Sequence, residues 1–179
     1  MSKIRIVGLF GVVLCLLTAC KTDPLYEDIE GAQLETDIKL IETYIEKNKI
    51  DAKRTDEGLF YVIGAAGAGE TIKLEDQLRI QYKANYLEDG IKPLFFDSTA
   101  STDPVLATKF ILNTAIEGWQ KGIPLVRKGG EIRLIVPSKM AYQNRVINKL
   151  PKNSILDFDI KVIDVLTPEQ VKEKEEENK

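Results

Sequence analysis

The spacing of apolar and polar positions changes along this chain, and each spacing predicts a different element. Over residues 34–48, "LETDIKLIETYIEKN", the residues Leu34, Ile38, Ile41 and Ile45 recur at helical intervals with Glu and Lys opposite them, which predicts an amphipathic helix. Between residues 56 and 166 the period falls to two. In "LRIQYKANYL" Leu78, Ile80, Tyr82, Ala84 and Tyr86 point one way, and Arg79, Gln81, Lys83 and Asn85 the other. "LDFDIKV" alternates Leu156, Phe158, Ile160 and Val162 with Asp157, Asp159 and Lys161. "EIRLIVP" does the same over Ile132, Leu134 and Val136, and "GLFYVI" (58–63) is a further strand candidate. Such alternation predicts antiparallel sheet with one buried face and one wet face. Lys128-Gly129-Gly130 reads as a hairpin-type turn ahead of "EIRLIVP". The one helical stretch inside this region is short, around Ile116 to Gly122. The expected fold is therefore α+β, an antiparallel sheet packed on one short α-helix, with the amphipathic helix in front. Residues 167–179, "TPEQVKEKEEENK", carry almost no apolar side chain and predict a frayed, charged tail.

Ahead of the amphipathic helix the pattern is different again. Ser2-Lys3-Ile4-Arg5 is a short basic start, and Ile6 to Ala19 is an almost unbroken apolar run ending in small residues. That is the layout of a secretory signal, and the run is too short for a comfortable membrane span. Leu17-Thr18-Ala19-Cys20 resembles the lipobox of bacterial lipoproteins, which implies cleavage before Cys20 and lipid on that cysteine. The expected organisation is a lipoprotein signal peptide at 1–19, a polar tether and the amphipathic helix at 20–55, the strand-rich domain at 56–166 and the tail at 167–179. A lipid on Cys20 tethers a soluble domain at a membrane surface. Lys21, not Asp, follows the cysteine, which points to the outer membrane of a cell envelope. The helix at 34–48 is expected to pack on the domain or to mediate association in preference to serving as a stalk.

Composition narrows the chemistry. There is no histidine, and the only cysteines are Cys15, in the signal, and Cys20. Ser-His-Asp and Cys-His catalysis and His- or Cys-ligated metals are excluded for the domain, and no metal or other cofactor is expected. Without Lys3 and Arg5, 23 basic residues face 28 acidic ones, a net charge of −5. No basic cluster with interleaved aromatics stands out, so nucleic acid is not an expected partner. "GAAGAG" (64–69) lacks the spacing of a phosphate loop and reads as an inter-strand turn. Glu88-Asp89 falls in a turn signature and reads as a solvated loop.

The only tryptophan, Trp119, lies in "AIEGWQKGIP", on the short helix predicted to face the sheet. A lone Trp there can be a simple core plug. Tyr82 and Phe158 point to the same side, and Phe96 and Tyr142 flank irregular segments. Together these aromatics describe a concave apolar pocket with the Tyr hydroxyls and Asp97 as polar handles.

The ordered series "QYKANYLEDG…FFDS", "AIEGWQKGIPLVRKGGEIRLIVPSKMAYQ" and "LPKNSILDFDIKVIDV", covering about residues 58–166, resembles the FKBP-type peptidyl-prolyl isomerases. With the lipobox and the helical lead-in, the whole resembles exported FKBP-type lipoproteins of Gram-negative bacteria. The resemblance implies an FKBP-like fold and catalysis of cis-trans exchange at X-Pro bonds of extracytoplasmic proteins, with proline-containing polypeptides as partners and macrolide inhibitors as possible ligands. It implies Trp119 as the pocket floor, and Tyr82, Phe96 and Phe158 as walls. Asp97 becomes the acidic group beside the pocket. The Ile116 N–H and the Tyr142 hydroxyl become donors to substrate carbonyls. Leu150, and Leu106 within an ambiguous register, are implied as rim contacts. The chain departs from the family pattern at the rim. "IKPLF" lengthens the turn before Phe96, so that Phe95 competes for its position. Thr114 and Ala115 replace commoner residues, and Gln143 stands where Gly usually follows the Tyr. A binding or chaperone module that keeps the pocket with weak catalysis is the alternative.

Overall fold

The longest alternating segment becomes β3 (Gln77–Glu88), and the sheet is assembled around it. One edge of β3 pairs with β7 (Leu156–Leu166), from Gln77 opposite Leu166 to Tyr86 opposite Leu156. The other edge is shared. β5 (Thr108–Ile111) takes Gln77 to Ile80, and β4 (Lys92–Ser98) takes Lys83 to Glu88. Beyond β7 lie β6 (Glu131–Val136), β2 (Phe60–Ala65) and β1 (Lys53–Arg54). The order is β1-β2-β6-β7-β3-β4, with every paired neighbour antiparallel. The structure is a computed structural model that describes residues 24–99 and 107–177.

The inner face carries the apolar set that the alternation predicts, with Leu78, Ile80, Leu134, Val136, Leu156 and Val162 fully buried. The short helix, α2 (Glu117–Gly122), packs there against β6. Two glycines set the depth of that contact. A Cβ on Gly118 would meet Cγ1 of Val136 at 2.4 Å, and one on Gly122 would meet Cδ1 of Leu134 at 2.5 Å. A side chain at Gly118 would have to displace stiff, β-branched Val136 or the helix itself, and one at Gly122 would have to push aside the end of Leu134.

The outer face is not wet throughout, which corrects the one-sided sheet expected from the alternation. Helix α1 (Pro24–Asn48) covers part of it, burying Ile41 and Tyr44 with Phe60, Leu87, Ile135 and Ile155. The reason is visible in doublets such as Leu59-Phe60, Leu134-Ile135 and Ile155-Leu156, which place an apolar side chain on each face. Two polar anchors accompany this packing. Asp37, 1 % exposed, accepts hydrogen bonds from the Ser138 N–H at 2.7 Å and the Ser138 hydroxyl at 2.6 Å. The Tyr44 hydroxyl donates to Asp157, which also forms a two-point pair with Arg133 at 2.9 and 2.7 Å. The pairing with Asp157 holds the Arg133 guanidinium in its charged form, and burial pushes the Tyr44 hydroxyl upward. α1 ends where Lys49 turns left-handed at φ 52° and Ile50 donates back to the Ile45 carbonyl at 3.0 Å, a Schellman closure.

The chain ends differ from expectation as well. Residues 24–33, expected as tether, are already helical in α1. The tail forms an exposed helix, α3 (Pro168–Glu177). Its start is a capping box, with the Thr167 N–H donating to Gln170 Oε1 at 3.0 Å and the Gln170 N–H to Thr167 Oγ1 at 3.4 Å, ahead of a proline in the first turn.

Replacing Gly118 by Ala should lower the unfolding free energy by about 1–3 kcal/mol, because stiff, β-branched Val136 has no room to yield; denaturant midpoints measure it. Replacing Arg133 by Met leaves Asp157, 2 % exposed, with a buried charge held only by Tyr44. With the Arg133 side chain itself 30 % exposed, the expected loss lies near the lower end of the ~3–5 kcal/mol typical of a broken buried pair.

Candidate active site

The depth of α2 decides what Trp119 touches. Its indole meets the ring of Tyr82 from β3 at 5.3 Å between centroids and 72° between planes, and that of Phe158 from β7 at 5.2 Å and 76°. Phe110 from β5 lies 5.5 Å away at 48°. Phe96 from β4 completes the set against Phe158, at 6.4 Å and 72°. Edge-to-face contacts of this kind are the favoured geometry of aromatic pairs. Above them lies a cavity of about 310 Å³, bounded also by Asp97, Thr108, Thr114, Ala115, Ile116 and Tyr142. A larger hollow of about 810 Å³ lies on the outer face of the sheet. Its walls include Glu131, Arg133, Asp159 and Lys161, and Lys161 pairs with Glu131 at 2.9 Å. The smaller cavity combines an aromatic floor with a few directed polar groups.

The local chain explains each placement. A β-bulge sets Asn85 opposite Phe95 but Ala84 opposite Asp97, leaving Phe96 as the extra residue. The bulge turns Phe96 and Asp97 together into the cavity and leaves Phe95 61 % exposed. Asp97 accepts from the Tyr82 hydroxyl at 2.7 Å and from the Ser98 N–H at 2.9 Å. Burial, and then this carboxylate, push the Tyr82 hydroxyl well above its ordinary range. Ile116 is the extended residue that caps α2. The Gln120 amide donates to the Asn113 and Ala115 carbonyls at 3.1 and 2.8 Å, tying the approach loop to the helix. Among the described residues, neither the Ile116 N–H nor the Tyr142 hydroxyl has a hydrogen-bond acceptor.

Seven of the residues singled out in the sequence therefore line one cavity: Tyr82, Phe96, Asp97, Ile116, Trp119, Tyr142 and Phe158. Leu150 does not join them. It is 3 % exposed in the inner core, bridged to Ile147, because the loop after Tyr142 folds it inward. Leu106 and Cys20 lie outside the described residues. Phe110 is not among the residues that the sequence pattern marks; the signal for it is its alternation with Thr108 on the cavity side of a short strand, just ahead of buried Leu112.

A model of the FKBP-type peptidyl-prolyl cis-trans isomerase family matches residues 68–163. The chain belongs to this family. FkpA of Buchnera aphidicola (subsp. Acyrthosiphon pisum), named as an FKBP-type peptidyl-prolyl cis-trans isomerase, is 35 % identical over 114 residues, which are 64 % of this chain and 45 % of that protein. The crystal structure of FkpA from Escherichia coli superposes with a TM-score of 0.62 at 29 % identity, over 79 % of this chain and 64 % of that one. A peptidyl-prolyl cis-trans isomerase of Pseudomonas syringae pv. tomato shares the fold at a TM-score of 0.60 and 23 % identity, over 81 % of this chain and 98 % of that one. The chain spans less than half the length of the first of these relatives.

Within this FKBP-type domain the departures have physical counterparts. The extended turn lengthens a two-stranded ribbon in which Leu87 pairs with Pro93 and Glu88 with Lys92, while the bulge still delivers Phe96 inward. Gln143 sits at φ +56°, the left-handed region that suits glycine, and is held there by hydrogen bonds from its N–H to Ser138 and to its carbonyl from Asn153.

A raised Tyr82 pKa means that the folded state favours the protonated phenol. Its contribution to stability is full below the ordinary tyrosine value near pH 10 and falls away above it. In ultraviolet titration of the folded protein, Tyr82 should be among the last tyrosines to ionise, and Tyr82→Phe should remove a late step.

Proposed function

We propose that this chain is a peptidyl-prolyl cis-trans isomerase acting on X-Pro bonds of extracytoplasmic proteins and assisting their folding. The observation that carries the reading is the Trp119-centred aromatic cavity with unpartnered donors at its rim. Rotation about a peptide bond faces a barrier of about 18–20 kcal/mol from amide resonance, and X-Pro exchange is slow enough to limit folding. A twisted amide has lost its conjugation and is less polar than the planar one. A pocket that fits a twisted prolyl amide in apolar surroundings lowers the barrier by binding that form better. Here the proline ring rests on Trp119 between Tyr82, Phe96 and Phe158. The Ile116 N–H and the Tyr142 hydroxyl hold the flanking carbonyls, and Asp97 fixes Tyr82 and supplies the acidic side of the pocket. Each tenfold acceleration requires about 1.4 kcal/mol of such preference. No nucleophile takes part, which suits a chain without histidine.

The same reading extends to the chain's setting. Leu17-Thr18-Ala19-Cys20 supports a lipid anchor on Cys20 that holds the domain at the outer membrane of a cell envelope, where newly exported polypeptides are the substrates. Macrolides of the kind that occupy FKBP pockets are the expected small-molecule competitors.

The test is cis-trans exchange of Xaa-Pro peptides, followed with wild type, Asp97→Val and Phe96→Ala after each is shown to fold. The expected result is clear acceleration that drops by about tenfold or more in both variants. No acceleration over a panel of residues before proline, in the folded protein, overturns the enzyme and leaves a binding module.

A further inference from the structure

The rim loop that bears Tyr142 is fastened from the opposite side of the sheet. After β6 the chain enters a 3-10 turn, Ser138–Met140, whose cap residue is Pro137 and offers no side-chain acceptor. The carboxylate of Asp37 on α1 takes that role, receiving both the N–H and the hydroxyl of Ser138, with both residues 1 % exposed. The Ser138 carbonyl in turn accepts from the Ala141 N–H at 3.0 Å and the Gln143 N–H at 2.9 Å. Tyr142 lies between these two, and Gln143 sits at φ +56°, in the left-handed region that favours glycine. Such a conformation persists only where its surroundings over-determine it. The second arm also leads to α1. The other Asp37 oxygen accepts from the Gln33 amide at 2.7 Å, Gln33 accepts from the Asn153 amide at 3.0 Å, and the Asn153 N–H donates to the Gln143 carbonyl at 2.8 Å.

We propose that Asp37 is a positioning residue for Tyr142: α1 sets the rim of the cavity through Ser138 and Gln143. The kinetic consequence rests on the isomerase reading; the structural one does not. α1 has a built-in control, because its other anchor, Tyr44 on Asp157, has no hydrogen bond into the loop.

The experiment compares Asp37→Ala, Asp37→Asn, Ser138→Ala and Tyr44→Phe in the full chain, each with and without Tyr142→Phe. Two quantities are followed: kcat/KM on an Xaa-Pro peptide, and the backbone amide resonances of Ala141 and Gln143. Asp37→Ala should lower kcat/KM by about tenfold, short of the hundredfold that a displacement of about 1 Å can produce. Tyr44→Phe should leave it within about twofold at a matched loss of stability. With Tyr142 already Phe, Asp37→Ala should lower it no further. Full additivity of the two losses, or an equal loss in Tyr44→Phe, overturns the proposal. If Asp37→Ala fails to fold, Ser138→Ala and Asp37→Asn carry the same cycle, since each keeps part of the anchor. If wild type itself gives no acceleration, the isomerase reading fails, and the amide resonances decide alone. Displacement of both by Asp37→Ala but not by Tyr44→Phe upholds the positioning role, and undisturbed resonances overturn it.

Discussion

The close approach of α2 to β6, with Gly118 on Val136 and Gly122 on Leu134, sets the depth at which Trp119 sits, and the rest of the inner face follows from that depth. One indole then reaches rings from β3, β5 and β7 at once. Each such aromatic pair contributes roughly 0.5–1.5 kcal/mol beyond its buried area. The floor of the cavity is thus part of the hydrophobic core. A helix held further from the sheet would lose the contacts and the pocket together, so the same two glycines serve stability and site geometry.

The rim obeys different physics. Its groups are held by directed hydrogen bonds: Tyr82 to Asp97, Gln120 across the approach to α2, and Ser138 to both neighbours of Tyr142. Directed bonds fix orientation at a modest net gain, about 0.5–1.5 kcal/mol each. A rim built this way depends less on close packing at Thr114, Ala115 and Gln143 than the floor does at Trp119 and Phe158. Donors left unpartnered in such a rim would bind an incoming acceptor strongly, because the surrounding aromatic walls keep the local dielectric low.

The sheet and the floor were legible in the sequence because both depend on a period of two and on one isolated tryptophan between glycines. Tyr82, Phe158 and Trp119 share a face for reasons that alternation states outright. Phe96 against Phe95 was a closer choice, since it turns on a bulge that alternation alone does not reveal, although the Asp that follows favoured Phe96. What stayed hidden was long-range. Leu150 looks like a rim residue by its place after Tyr142, yet the loop folds it into the core, and only the tertiary path determines that. Phe110 was obscured because β5 is short and follows residues of ambiguous register. The ordered α3 was missed for a local reason, since its capping box was present in Thr167-Pro168-Glu169-Gln170 and was outweighed by the lack of apolar residues.

The position of α1 shows why its anchors are polar. Its apolar stripe, Leu34, Ile38, Ile41 and Ile45, repeats nearly every turn, and a repeating stripe tolerates a slip of one turn along the sheet. Asp37 and Tyr44 do not. They stand two turns apart and meet different partners, Ser138 and Asp157, so a slip in either direction strands a buried carboxylate, phenol or hydroxyl. A buried charge without its partners is far more costly than a lost methyl contact. Apolar side chains at both positions could match the stability, but they would leave the register of the helix open. With the polar pair in place, one register satisfies every buried group, and in that register the carboxylate of Asp37 caps the turn that leads to Tyr142.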